Sequence, residues 1–215
     1  MKIAAFFDFD ETLLAIDSAS VGFRVLREQG YLKRSFMLKM MLVLFLRKIG
    51  MVNEQIMAKA FLSFYRGRSL QPFADSAEDF YSEFLQPNLA PQVVEKLKWH
   101  QEQEHLTVLV TGSIDYYLQP VMEDLGLDHL LCTHLETGSD GLLTGRSLGP
   151  VCVGKMKVEL AQNLAREQNI DLSRSYAYGN SELDIPILEQ VGHPVIVNPT
   201  PALQKYATKL DWPLL

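Results

Sequence analysis

The sequence predicts an α/β fold, a parallel sheet wrapped by helices on both faces and interrupted near its start by an all-helical insertion. Three observations predict it. An apolar run of strand length, Ile3 to Phe7, opens the chain and breaks off into carboxylates. From Pro87 onward, short apolar runs alternate with segments of helical period across short connections, the pattern of a parallel sheet. Between these regions, residues 16 to about 86 carry apolar segments of helical length punctuated by Gly30, Gly50, Gly67 and Pro72, with no strand-period alternation. The chain therefore reads as a core of residues 1–15 and 87–215 and a helical insertion of residues 16–86.

In order, the insertion opens at Ile16-Asp17-Ser18, where Asp17 or Ser18 suits an N-cap, and is expected to form four or five short helices. Its most apolar part, Phe36 to Ile49, is bracketed by Lys39 and Arg47-Lys48 and falls far short of the roughly 20 residues of a spanning helix. A helix apolar on nearly all sides is expected to be buried in a small bundle, with a membrane-surface helix as the alternative and a minority of side chains facing a pocket. Pro87 and Pro91 mark the return to the core. There follow an expected helix from Pro91 to Glu104, a strand Leu106 to Val110 ending at Thr111-Gly112-Ser113, and a helix from about Asp115 to Leu125 closed by Gly126. Next come a strand near Leu130 to Leu135, a hairpin-like Gly138-Ser139-Asp140-Gly141, a helix from about Lys155 to Gln168 and a strand Ser175 to Tyr178. A helix Leu183 to Val191 and a strand Pro194 to Val197 extend the alternation.

Composition narrows the partners. With 47% apolar residues in 215 the chain can bury a sizeable core, and a net charge of −6 argues against nucleic acid and for a small solute or a protein. Two cysteines, Cys132 and Cys152, make no disulfide framework, and the N-terminus has no signal-peptide pattern, so the cytoplasm is the expected compartment. The five histidines show no zinc spacing; no partner acid and no chemistry are assigned to them.

A parallel sheet offers its ligand site beyond the carboxyl ends of its strands, beside the switch in strand order. Three strands end in polar residues there: Asp8 and Asp10, then Thr111, then Asn180 with Asp184. Asp8 and Asp10 are spaced to project together, and two anions that close require a cation or a shared proton; Mg²⁺, a hard ion that prefers oxygen ligands, answers that need. A carboxylate attacks phosphorus to give an aspartyl phosphate, which makes Asp8 the candidate nucleophile and Asp10 the candidate acid for the leaving oxygen. Thr111 offers a hydroxyl, and Gly112 and Ser113 offer backbone N–H groups at an expected helix N-terminus where phosphate binds readily. Lys157 is the candidate cation, with Lys155 a solvated neighbour. Asn180 supplies an amide oxygen and Asp184 a carboxylate for a metal.

The segment Asp8-Phe9-Asp10-Glu11-Thr12, the later Thr111, Lys157 and Gly179-Asn180-Ser181-Glu182-Leu183-Asp184, and the helical stretch after the first motif resemble the phosphoserine-phosphatase-like branch of the haloacid dehalogenase superfamily. The resemblance covers nearly the whole chain. It implies a Rossmann-like core, a helical cap inserted after the first motif, Mg²⁺, a phosphoaspartyl intermediate and a phosphate-ester substrate. By position it implies that Asp8 is nucleophile and metal ligand. It makes Asp10 the acid/base that also lends its carbonyl to the metal, and it has Thr111, Gly112 and Lys157 hold phosphate. Asp17 matches the acidic position that in phosphoserine phosphatases holds the substrate amine, with Arg66 or Arg68 as a possible carboxylate clamp. Those enzymes usually carry Asp where Asn180 stands, and the cap here is more apolar than an amino-acid pocket suggests. A receiver-type phosphoacceptor protein is the rival class, against which the long helical insertion speaks, and a weakly catalytic phosphate-binding protein is the other.

Overall fold

The computed structural model describes all 215 residues. β1 (Ala4–Phe7) leads into helices α1 (Ser18–Glu28), α2 (Arg34–Lys48), α3 (Glu54–Leu62), α4 (Gln71–Asp75) and α5 (Ala77–Phe80). Single 3₁₀ and π turns then carry the chain to α6 (Pro91–Glu102) and β2 (Leu106–Ile114). After α7 (Gln119–Leu125) come β3 (His129–Thr133) and a hairpin of β4 (Leu135–Thr137) and β5 (Leu143–Ser147). The chain closes with α8 (Lys155–Gln168), β6 (Tyr176–Gly179), α9 (Ile185–Leu188), β7 (His193–Ile196) and α10 (Pro201–Thr208).

Five strands form one parallel sheet in the order β3-β2-β1-β6-β7, so the order reverses at β1 and the crevice between β1 and β6 is the switch point. β1 shows why the sheet must be covered on both sides. All four of its residues are buried, Ala5 and Phe7 among side chains of α6 and α7, and Ala4 and Phe6 among those of α8, α9 and α10. Phe7 stacks on Tyr178 of β6 with ring centroids 4.6 Å apart. Each fully buried aromatic of this kind is worth about 1.5–3 kcal/mol of burial. The helix ends follow local chemistry: Pro91 begins α6, Gly126 closes α7 in the left-handed region (φ 60°), and the Thr200 hydroxyl caps α10 by accepting from Leu203 N.

Four expectations are corrected. β2 continues to Ile114 rather than ending at Val110, because the ladder with β3 resumes after an irregularity at Thr111 to Ser113, with Ile114 opposite Thr133. Gly112 and Ser113 therefore sit in a bulged strand and not at a helix N-terminus; the helical region beyond is a 3₁₀ turn, Asp115–Tyr117, followed by α7. The helix expected over Leu183 to Val191 shrinks to α9, one turn with Pro186 near its start. α10, at the end of the chain, was not anticipated.

The fourth correction concerns α2. It is not buried in a bundle: Met40 is its only buried residue, while Leu38, Met41, Leu42, Leu44 and Phe45 are more than half exposed. α2 packs on its neighbours along one face, with Phe36 against Phe64 at 5.6 Å between ring centroids, and nothing covers the other. A helix apolar all round carries no periodic signal of which face is inward. No helix of the structure is long and apolar enough to cross a membrane.

Candidate active site

Asp8 follows β1 directly, its N–H donating to the Tyr178 carbonyl of β6 at 3.0 Å, which anchors it at the switch point. The chain then turns back on itself: Glu11 adopts a left-handed φ of 58°, and the Leu13 and Leu14 N–H groups donate to the carbonyls of Asp8 and Phe9. Thr12 donates its hydroxyl to Asp8 Oδ2 at 3.2 Å. The motif is thus a folded loop that aims Asp8 into the sheet edge.

Lys157, in the first turn of α8, reaches the same edge. Its Nζ lies 2.5 Å from Asp8 Oδ1 and 2.6 Å from Asp184 Oδ1, and all three side chains are almost wholly buried. Burial, and next the nearby Asp184 carboxylate, push Asp8 up to about 7 despite the lysine. Burial alone would lower the lysine, but Asp184 and Asp8 together carry it well above its ordinary value, so it stays charged. Asp184 itself is held by the N–H groups of Asn180 and Ser181 and by the Ser181 hydroxyl. Gly179 permits this approach, since a Cβ there would lie 2.6 Å from the Asp184 Cβ.

Asp10 points elsewhere in the same cavity. It accepts from the Ser18 N–H at 2.6 Å and from the Ser113 hydroxyl at 2.8 Å, and Ser18 in turn meets the Tyr117 hydroxyl at 3.2 Å. Burial raises its pKa, with the Ser18 and Ser113 bonds working against the shift. Ser113 was expected to serve phosphate through its N–H; that N–H donates to the Thr111 hydroxyl at 3.0 Å instead. Its hydroxyl positions Asp10. Gly112 lies against Val153, so close that a Cβ would stand 2.8 Å from Cγ1.

Thr111, Gly112, Ser113, Lys157, Asn180, Asp184, Asp8, Asp10 and Asp17 all line one cavity of about 1140 Å³ between the sheet edge and the helices α1 to α5. Half of its lining residues are hydrophobic, among them Phe23, Met57, Phe61 and Phe80. Asp17 caps α1, its carboxylate taken by Ala19 N and Ser20. Arg66 and Arg68 are not among the lining residues. Arg66 bonds the Thr144 carbonyl, and Arg68 bonds those of Phe64 and Tyr31 with its guanidinium 4.3 Å over the Phe64 ring, so both fasten the β4–β5 hairpin and neighbouring turns. Lys155 is exposed, as expected.

Sequence reasoning missed Thr12 and Ser18 as partners of the two aspartates and Glu11 as the acceptor for the Asn180 side-chain amide at 3.1 Å. The Thr of the first motif was the available signal for one of them. It also missed an acid partner for a histidine: His134 lies 2.8 Å from Asp115. No histidine lines the cavity, and burial pushes the wholly buried His100, bonded to Tyr178, down to about 4. Burial likewise pushes both free cysteine thiols up to about 12, which leaves them poor nucleophiles.

A family profile described as haloacid dehalogenase-like hydrolase matches residues 5–189. The chain belongs to that family. It is an enzyme of the haloacid dehalogenase type. A histidinol-phosphatase from Neisseria meningitidis is 28% identical across all of this chain and 99% of its own length. A solved protein of unknown function from Bordetella pertussis is 26% identical, with a TM-score of 0.89 over 100% of this chain and 98% of that one. A phosphoserine phosphatase solved as an analogue of its phospho-aspartyl intermediate shares the fold at a TM-score of 0.70 and 21% identity, over 95% of this chain and 90% of that one.

The donor set beside Asp8 fits a hard divalent cation. No three His, Cys, Asp or Glu side chains are grouped to ligate an ion, so an ion at this position draws on amide and carbonyl oxygens as well. Asn180 is largely buried and lines the cavity, its side-chain N–H is spent on Glu11, and its amide oxygen accepts from no protein group and is not closed off from solvent. Two buried carboxylates, Asp8 and Asp184, share one lysine, which leaves negative charge uncompensated.

Proposed function

We propose that this haloacid dehalogenase-type phosphatase is a Mg²⁺-dependent phosphomonoesterase that works through a phosphoaspartyl intermediate on a small phosphorylated metabolite bearing an apolar group. The observation that carries the reading is Lys157, buried and bridging Asp8 and Asp184 on the floor of the cavity. Residues 16–86 act as the cap over a core of residues 1–15 and 87–215.

In this mechanism Asp8 attacks phosphorus and the ester oxygen leaves, so that the phosphoryl group passes to the Asp8 carboxylate. Lys157 holds Asp8 in place and offsets the charge of the phosphoryl oxygens, with the Thr111 hydroxyl and the backbone around Gly112 nearby. Asp10, oriented by Ser18 and Ser113 and kept protonated more readily by burial, gives its proton to the leaving oxygen. It then takes a proton from the water that hydrolyses the aspartyl phosphate, which regenerates both carboxyl groups. Asp8, the Asp10 carbonyl and Asn180, with Asp184 directly or through water, would hold Mg²⁺, which supplies charge neutralisation for an anionic ester meeting an anionic nucleophile.

Half-apolar lining supports an apolar substituent on the substrate. The same cavity speaks against phosphoserine. Arg47 is its only lining arginine and lies 3.6 Å from Glu54, so no free cation awaits an amino-acid carboxylate. Acids are plentiful, including Asp17, Asp79 and Glu83, and this favours a second reading, an amino-alcohol phosphate such as the Neisseria relative's name indicates.

The test is phosphate release from an aryl phosphate with Mg²⁺, expected to stop with chelator and to fall by roughly three orders of magnitude or more in Asp8→Asn. Asp10→Asn is expected to lose about 10²–10⁴-fold on poor leaving groups and less on good ones. A panel of phosphoserine, histidinol phosphate and alkyl or aryl phosphates then ranks the substrate readings. Stable self-phosphorylation without turnover would instead favour the receiver class.

A further inference from the structure

α2 has two unlike faces. The inner one carries the buried Met40, with Leu44 and Arg47 bordering the catalytic cavity. The outer one carries Leu38, Met41, Leu42, Phe45 and Ile49, spaced i, i+3, i+4, i+7 and i+11, so that they form one stripe along the helix. These five are between 53% and 66% exposed, and Met51, 69% exposed in the following turn, lengthens the stripe. Single exposed apolar residues are ordinary, whereas a continuous stripe of large ones marks a surface that something covers.

Charge says what covers it. Residues 29–53 contain five of the chain's 20 basic residues and none of its 26 acidic ones, in a protein whose net charge is −6. Lys39 is tied to Ser63 and Arg47 to Glu54, but Lys33, Arg34 and Lys48 form no ion pair. The covering partner must therefore be apolar and anionic at once. A second copy docked face to face would set cations against cations and is disfavoured on that ground.

We propose that α2 seats this protein on the surface of an anionic phospholipid bilayer, its outer stripe sunk into the headgroup boundary and Lys33, Arg34 and Lys48 paired with lipid phosphates. A short helix with an exposed apolar stripe and basic residues beside it suits an interfacial position, and at 15 residues it is too short to span. Because the inner face of the same helix borders the cavity, docking holds that wall of the cavity one helix width from the lipid. The proposal does not depend on the identity of the substrate.

Sedimentation with extruded vesicles tests it, using phosphatidylcholine alone and phosphatidylcholine with roughly one third phosphatidylglycerol. The wild type is expected to sediment with the anionic vesicles at low salt, to be released at high salt, and to ignore the neutral ones. Arg34→Gln and Lys48→Gln should each weaken partitioning about fivefold, additively in log units. Phe45→Glu should abolish it, while thermal unfolding shows this exposed-site variant folded as the wild type is. No sedimentation of folded wild type, equal binding to both vesicle types, or full binding by Phe45→Glu would overturn the proposal. So would a concentration-dependent dimer that Phe45→Glu dissolves in a protein that ignores vesicles.

Discussion

The rim of the sheet and the outer face of α2 break the ordinary rule of burial in opposite directions. At the rim, three ionisable side chains, Asp8, Lys157 and Asp184, are shut away from water. On α2, Leu38, Met41, Leu42 and Phe45 stand in it. Neither arrangement favours the isolated folded chain: buried charges pay desolvation, and exposed apolar side chains forfeit the gain of burial. Both are places where we propose that another molecule completes the structure, a phosphoryl group and a cation in the first case and a lipid surface in the second.

The comparison is sharpest where a single change exposes the cost. Lys157→Ala leaves two buried carboxylates without their cation, and is expected to destabilise by about 3–5 kcal/mol besides abolishing turnover. Equilibrium denaturation measures the first effect; a loss below about 1 kcal/mol would mean that water reaches the rim.

Asp8 offers a subtler probe. Its pKa lies at about 7 in the fold against 3.8 for an unperturbed aspartate, chiefly through burial and then Asp184. Between those values the folded state keeps a proton that the unfolded state has released, so the contribution is fully present below the lower value and lost as pH rises through the upper one. Chelator-treated wild type should therefore lose stability between about pH 4 and 7 relative to Asp8→Asn, which lacks the titration. Melting profiles of the two proteins that run parallel across this range would contradict the buried-anion account.

Smaller effects separate the two faces of α2. Met40→Ala should cost about 2 kcal/mol through lost burial, while Phe45→Ala should change stability by less than about 0.5 kcal/mol. Equal costs would mean that the outer stripe is covered in the free protein.

These same two regions explain what was legible in the sequence. Asp8 and Asp10 break off an apolar strand, Lys157 opens a helix and Asn180 with Asp184 follows a strand, so each announced itself locally, and parallel pairing brought them to one edge. Apart from Arg66 and Arg68, every nominated site residue lines the cavity, but their neighbours were less readable. The local pattern ends a strand at Val110 and so makes Ser113 a phosphate donor, and only the β2–β3 register, set across the sheet, turns its hydroxyl toward Asp10. Arg66 and Arg68 looked like clamps until their carbonyl partners on distant segments were seen. α2 was the least legible element, since a run apolar on every side reads alike whether a bundle buries it or half of it faces out.

The measurement that bears most directly on the central claim is the site of the phosphoenzyme. Wild-type and Asp8→Asn protein would be mixed with a fast-leaving aryl phosphate and Mg²⁺, quenched in acid and mapped by peptide mass spectrometry. The account predicts a phosphoryl adduct on the wild-type peptide that carries Asp8, with none in Asp8→Asn. An adduct on any other residue, or turnover undiminished in a folded Asp8→Asn, would contradict it.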